Sequence, residues 1–527
     1  MNSQATSRAD RHAAWACGGR EGRSYSNQFP CRDWGQHVWH SGTGLLMFGA
    51  MLAASGCATP SAAQPPVTAD SAPARVEREE SPPCVCECPP HGQALGRTVW
   101  SKRFGDEASQ QGSSIATDRL GNVLVMGGFT GTLDLGAQPL RSSGRRDLFL
   151  AKFDTEGVLR WSRAFGSKDT QGHSGGRAVA ADRDGNIFLA GDFSGSLQFD
   201  NQTIKSDSSY DVFLAKLSPE GKVLWSRRFG GDGRDLASGL SVDHVGNVFL
   251  TGEFRGTIDF GGGPLASAGD VDIFLAKIDP NGKHVYSKRF GGAREDFGTG
   301  IAADYAGNVV VTGEYTDSVD FGEGLIRTAM GYDIFVAKFD PTGKPMWSKS
   351  FGPLESTDIH GGRSITLDRT GNILLAGDFR DTLDLGGGPL QSAGSYDVFV
   401  AKYDPSGEHV WSKRFGDTAW DTAEGIATDG VGNVLVAGGY EGTVDFGGGP
   451  LPSAGGFDGF VLALDSWGNY LGAKAFGDKR SQNATSITSD FVGHVFVTGA
   501  FEGTLDFGNG PLQSAGEGDV FFAKLTN

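Results

Sequence analysis

Short apolar runs alternate with Gly-containing turns along the chain from about residue 97 to its end. The stretch Asp147–Gly166, DLFLAKFDTEGVLRWSRAFG, sets the pattern: an apolar run, a Glu-Gly turn, then a second run carrying Trp161 and closing on Phe165-Gly166. Near copies begin at Asp211, Asp272, Asp333, Asp397 and, more degraded, Asp458. A further copy begins at Asp519 and stops before its second half. That half stands at the other end of the repeat region, as Val99-Trp100-Ser101-Lys102-Arg103-Phe104-Gly105. Runs of this length, with two-residue alternation and no sustained helical period, predict strands throughout.

The aromatic after the turn recurs as Trp100, Trp161, Trp225, Tyr286, Trp347 and Trp411, with Gly472 in the seventh position, at steps of 61 or 64 residues. Each unit reads as a strand ending in aspartate, a turn with Gly-Asn, a second strand, a Gly-rich connection such as Gly256–Gly263, and the two-strand hairpin. Four strands per unit and seven units predict an all-β fold, a seven-bladed β-propeller over 97–527. The last blade takes its outermost strand from the N-terminal end, which leaves no open sheet edge. The aspartates Asp118, Asp182, Asp243, Asp304, Asp368, Asp429 and Asp490 each precede a glycine by three residues. They are expected to cap turns whose glycine is left-handed. Once-per-unit residues such as Lys152 and Asp134 suggest pairing between strands or blades. The sixth unit departs, with Leu464 taken as the replacement for the lysine and Gly472 for the aromatic, so its outer edge is expected to pack least well.

Ahead of the ring the composition changes. Gly44–Gly56 is an uncharged apolar segment, too short to span a bilayer and suited to a secretory signal. Ala54-Ser55-Gly56-Cys57 resembles the bacterial lipobox, which implies lipidation at Cys57. The long stretch before the signal, whose nearest positive charge is Arg32, points to a start downstream of Met1. Residues 1–56 are therefore read as the signal region and 57–96 as a Pro-rich tether, with eight prolines between Ala58 and Gly96. Such a segment cannot bury a core. Within it Cys84, Cys86 and Cys88 could form disulfides or hold a soft metal, but their spacing lacks the fourth ligand zinc prefers. All six cysteines precede the ring.

The net charge of −17 argues against nucleic acid as a partner. No motif for a cofactor is found. Gly172-His173-Ser174-Gly175-Gly176 matches the G-x-S-x-G pattern of a nucleophile elbow, yet lacks the helix such an elbow requires. The units differ most between blades. There blades two and five carry His173 with Arg177, and His360 with Arg363, on opposite sides of the axis. Either the arginines face an anionic partner across the channel mouth, or a repeat block with longer loops has been duplicated.

Asp272-Ile-Phe-Leu-Ala-Lys277, Asp279-Pro-Asn-Gly282, Tyr286-Ser-Lys-Arg-Phe-Gly291 and Asp304-Tyr-Ala-Gly-Asn308 with Val311-Thr-Gly313 resemble the bacterial SBBP repeat. That repeat is common in surface and secreted proteins of myxobacteria, and the likeness covers essentially all of 97–527. It implies a propeller and, with the lipobox, an outer-membrane or cell-surface lipoprotein. The turn at Ala215–Trp225 also resembles the repeat of quinoprotein dehydrogenases, whose eight blades and vicinal cysteines this chain lacks. The expected function is binding or scaffolding, with an envelope protein or a polysaccharide as partner. The alternatives are a glycan-active hydrolase or lyase at the channel mouth and a structural surface-layer component. An unsymmetrical pair of buried acids at the mouth would favour the enzyme, and turn aspartates alone would count against it.

Overall fold

A computed structural model describes residues 95–167, 172–207, 209–328, 331–352 and 360–526. The expected lipidation site Cys57 and the cysteines Cys84, Cys86 and Cys88 lie outside these residues. The described part contains strands and no helix.

Seven four-stranded antiparallel sheets form the blades. In blade one the strands run, from the axis outwards, Gln110–Thr117, Val123–Phe129, Asp147–Phe153 and Leu159–Phe165. Blade seven takes Gln482–Ser489, Val495–Phe501 and Asp519–Leu525 from the C-terminal end, and its outermost strand is Thr98–Phe104. Ser101 pairs with Ala523 and Phe104 with Val520, so the ring closes as expected.

Strand direction separates two faces. The turn face carries the hairpin turns within each blade, and the loop face carries the connections between blades. On the turn face Asp118 behaves as its sequence requires. Its Oδ1 accepts from the backbone N–H of Leu120 and Asn122, both at 2.9 Å, and Gly121 sits at φ 78°. A side chain on Gly121 would strain that turn.

The Gly-rich connections are more ordered than the sequence suggests. Each forms a two-stranded ribbon, such as Thr257–Asp259 with Pro264–Ala266. The blades radiate from the axis, so their outer edges diverge, and the ribbons fill the wedges. Ile258 and Phe260 are buried, and Phe260 packs on Phe229 of the preceding blade at 5.0 Å and on Phe274 of its own. Asp134 caps the turn of one such ribbon by accepting from Gly136 N at 2.9 Å, which is a local role and not a pairing between blades.

The recurring lysine does join blades. Lys152 Nζ lies 2.9 Å from Asp118 Oδ2 of its own blade and donates at 3.2 Å to Pro219 O, in the outer turn of the next. Trp161 Nε1 donates to the same carbonyl at 3.1 Å. The tryptophan ring lies against Gly221 of that turn, where a Cβ would come within 3.0 Å of it. Both donors recur with Lys216 and Trp225 on Pro280 O and with Lys402 and Trp411 on Ser466 O. The lysine alone recurs with Lys277 on Pro341 O, Lys338 on Pro405 O and, across the closing seam, Lys524 on Thr155 O at 2.9 Å.

Blade six lacks the clip for a reason that the ring closure supplies. The pairing register sets Ala463, not Leu464, opposite Gly472, as Lys402 stands opposite Trp411. Ala463 is thus the residue in the lysine position. The next blade has no outer turn, because its third and fourth strands come from opposite ends of the ring. A lysine and tryptophan there would find no carbonyl. Instead Leu95 is buried in one apolar cluster with Ala463, Leu435 and Phe476. The edge is filled, contrary to the expectation of loose packing.

Trp225 Nε1 donates to Pro280 O at 3.2 Å, whereas Trp347 Nε1 is buried without a partner. Trp225→Phe should therefore cost about 1 kcal/mol more than Trp347→Phe, read as the difference between their denaturant midpoints. Deleting residues 97–105 should lower Tm steeply in calorimetry; unchanged melting would reject closure by this strand.

Candidate functional site

The seven innermost strands line a central channel, and each carries a β-bulge at the same place. A bulge re-aims one side chain. The bulged residues are Ser113, Arg177, Ser238, Thr299, Arg363, Glu424 and Thr485. Arg177 and Arg363, expected in loops between blades, are thus on the innermost strands His173–Ala181 and His360–Leu367. The chain after Gly175 is already paired strand, so neither arginine sits on a free connection.

Nor is either arginine uncompensated. Arg177 Nε donates to Asp192 Oδ1 at 2.7 Å. Arg363 grips Asp378 with two bonds, at 2.7 and 3.3 Å, and that carboxylate holds the guanidinium above its ordinary pKa against the effect of burial. His173 packs edge-on to Tyr210 at 5.6 Å, and burial lowers its pKa. His360 is fully buried near Phe379 and is remote from solvent. Ser174 is also buried, its Oγ reaching backbone carbonyls of Arg146 and Phe165, so it is no nucleophile elbow.

A second ring of equivalent positions lies on the neighbouring strands: Gly128, Asp192, Glu253, Glu314, Asp378, Gly439 and Ala500. Four successive blades carry acids there and three carry small residues. Burial raises the Glu253 carboxyl to about 7 in spite of Arg234 and Arg177, with Glu314 and Glu295 adding to the rise. Burial also raises Glu424, opposed by Arg363.

The rim of the mouth is a third equivalent position. The residue before each third strand makes a backbone bridge to the start of the next blade, as Tyr210 to Arg234, Val271 to Glu295 and Tyr396 to Trp420. The residue before the third strand is tyrosine in three blades, Tyr210, Tyr332 and Tyr396, and differs in the other four. Tyr332 Oη donates to Glu295 at 2.9 Å, and Tyr396 stacks on Trp420 at 5.5 Å. Trp420 keeps 50% of its surface exposed. Sequence reading missed Trp420, Tyr396, Glu253, Glu314 and Glu424. For Tyr396, Glu253 and Glu314 a signal was present: each varies beside a residue constant in all seven units, Asp397, Gly252 and Gly313. No group of three or more His, Cys, Asp or Glu among the described residues is placed to hold a metal.

Further acids mark the seams and not the mouth. Asp235, Asp296 and Asp421 open the innermost strands of blades three, four and six, and all are buried. Burial first, and then Asp211 beside Asp235, Asp272 beside Asp296, and Asp417 with Asp397 beside Asp421, push each of them up to about 7. In each case an arginine of the preceding blade's outer strand binds that neighbour: Arg228 on Asp211 at 2.5 Å, Arg289 on Asp272 at 2.5 Å, and Arg414 on Asp397. Where that arginine is replaced, by Ala164, Ser350 or Ala475, the second acid is replaced as well, by Ser174, His360 or Gln482. These are charge-balanced structural pairs.

No protein-family model matches the chain. It is 21% identical over 525 residues to the uncharacterized WD repeat-containing protein L264 of Acanthamoeba polyphaga mimivirus, covering 79% of this chain and 37% of that protein. It is 25% identical over 370 residues to the regulatory protein FlaEY of Caulobacter vibrioides, covering 64% of this chain and 37% of that one. The chain thus spans little more than a third of the length of these relatives. Among solved structures it is similar to the Neurospora crassa Pan2 WD40 domain, with 10% identity, 67% and 89% coverage and a TM-score of 0.33. This chain is a β-propeller repeat protein. That statement stands on its strand order.

Folded Asp235, Asp296 and Asp421 hold their protons to about pH 7, while the unfolded chain releases them near 3.8. Their contribution is therefore full below 3.8 and is lost as pH rises through 7. The triple Asn variant should lose much of the gain in Tm that the parent shows between pH 8 and 5.5. Parallel curves for the two proteins would refute this assignment.

Proposed function

We propose that the ring is a binding module that takes a saccharide chain at the loop-face mouth of its channel. One observation carries the reading: a sevenfold scaffold presents different side chains at its bulge, second-strand and rim positions. Paired arginines and acids offer fixed donors and acceptors of the kind that hydroxyl groups satisfy. The Tyr396–Trp420 stack offers an apolar face to a sugar ring. Protein scaffolding, consistent with a propeller that has a WD-repeat relative, is the broader form of the same reading. We place the protein at the cell envelope as an SBBP-type lipoprotein, anchored through Cys57 at the outer membrane or cell surface by a tether over 57–96. The lipobox and the proline-rich composition support that placement.

A second reading has an observation of its own. Glu253, held at about 7 beside Glu314, gives the mouth an unsymmetrical pair of acids. A protonated and an ionised carboxyl are what glycoside cleavage uses. In this reading the bound chain is also cut.

The test uses the full chain with Cys57→Ser, so that no lipid contributes, on an array of bacterial and algal polysaccharides. Trp420→Ala should weaken the captured glycan about tenfold, and Trp467→Ala, on the turn face, should not. Failure of every glycan to bind, or binding indifferent to Trp420, would overturn the saccharide reading. Shortening of the captured polymer, abolished by Glu253→Gln, would establish the enzyme.

A further inference from the structure

The turn face has a variable ring of its own. The residue after each turn aspartate is Arg119, Arg183, His244, Tyr305, Arg369, Gly430 or Phe491, in an otherwise constant Asp-x-x-Gly frame. These turns converge where the channel opens on that face. Thr117, Arg119, Arg183, His244, Tyr305 and Phe491 are among the residues lining a depression of about 350 Å³ there. A second depression beside it shares Arg119, Arg183 and Phe491 and adds Leu120 and Lys152.

We propose that this mouth is a second binding site, for a small ligand bearing a carboxylate or phosphate on a ring. The site is separate from the saccharide mouth on the loop face. Arg119 and Arg183 have no carboxylate within ion-pair distance among the described residues, whereas Arg177 and Arg363 at the other mouth are each paired. The aspartates that line the depressions are already engaged. Asp118, Asp182, Asp243 and Asp304 accept from their own turn backbones and from Asn122, Asn186, Asn247 and Asn308. Asp184 is the one lining carboxylate outside that arrangement. Lys152 on Asp118 and Lys216 on Asp182 balance two of those carboxylates, and Arg119 and Arg183, bound in no ion pair among the described residues, are the groups that draw an anion.

The same site has a rigid apolar wall. His244 stacks on Tyr305 at 4.6 Å and 16°, and the Arg183 guanidinium lies 4.6 Å from the Tyr305 ring centre. That contact favours one position of the Arg183 side chain. Phe491 and Leu120 remain 61% and 82% exposed beside it. A lone phosphate would leave this surface wet. A ring carrying the anion would cover it.

The probes are phenyl phosphate, benzoate, inorganic phosphate and benzyl alcohol, titrated by calorimetry into the full chain carrying Cys57→Ser. Phenyl phosphate or benzoate should bind at least tenfold tighter than inorganic phosphate, and benzyl alcohol should not bind. The stronger of the two identifies the anion as phosphate or carboxylate. The Arg119→Gln, Arg183→Gln double variant should lose at least tenfold in affinity with an unchanged Tm. Trp420→Ala should leave these affinities intact, which separates this site from the loop-face mouth. No binding by either ring anion, or binding that the double variant leaves unmoved, overturns the proposal.

Discussion

A buried lysine bonded to a carbonyl of the neighbouring blade's outer turn holds six of the seven blades to the next, and the rest of the ring depends on that contact. Lys152 and Trp161 of one blade converge on Pro219 O of another. Each blade is a small sheet that could pack at a range of angles on its neighbour through apolar contact alone. Burial has no direction. A hydrogen bond to one atom does, and two from different strands fix both the rotation and the height of the neighbouring blade. The glycine pressed against the tryptophan ring removes the space for any other seating. The lysine must be desolvated to reach the seam, and burial accordingly lowers Lys277 and Lys338. Its own blade's turn aspartate, and the carbonyl, offset that cost.

The turn aspartates thus have two tasks that share one carboxylate. One oxygen caps the turn and the other receives Lys152 or Lys402. In Asp368, burial raises the carboxyl, but Asn372, Thr370 and Lys402 outweigh it and bring it down to about 2. The acids at the other end of the innermost strands move the opposite way, first because they are fully buried and then because a second aspartate is nearby with the arginine already bound to it. The opposite shifts follow from the deeper burial of the second set and from which partner each aspartate has, and neither set needs a ligand to explain it. Shifted acids alone would have pointed to the seams; the variable rings point to the mouths.

Blade count, strand order, closure and the capping turns could all be read from the sequence, because repetition multiplies every local signal by seven. Two things could not. The ribbons Thr257–Asp259 and Pro264–Ala266 are too short and too glycine-rich to show a two-residue period, and they are strands only because the diverging blade edges leave a wedge that Ile258 and Phe260 fill. The placement of Arg177 and Arg363 failed for a related reason. A run of glycines reads as a loop, yet here Gly175 and Gly176 let an innermost strand pack against its neighbour and bulge. The bulge residue looked like part of a loop, and its partner Asp192 lay on a strand that seemed to be core alone. The missing clip of blade six was visible as a lapse in the repeat. Its cause was not, since it needs the knowledge that blade seven has no outer turn.

The division of labour between constant and variable positions follows from these packing constraints. A residue that meets the next blade is held to a narrow range, and blade six, which departs from it, is the blade whose neighbour has no outer turn. Lysine, tryptophan, the turn glycine and the ribbon's apolar pair are all of this kind. A residue that points along the axis meets only the channel, and its replacement costs the fold little. Ser113, Arg177, Ser238, Thr299, Arg363, Glu424 and Thr485 occupy one geometric site, yet they include both charges and neutral hydroxyls. The positions after the turn aspartates vary as widely at the opposite end. A purely structural ring would have no use for such divergence in only these places. Divergence gathered at the two mouths, where it costs the fold little, is the pattern of a scaffold whose ends are read by ligands.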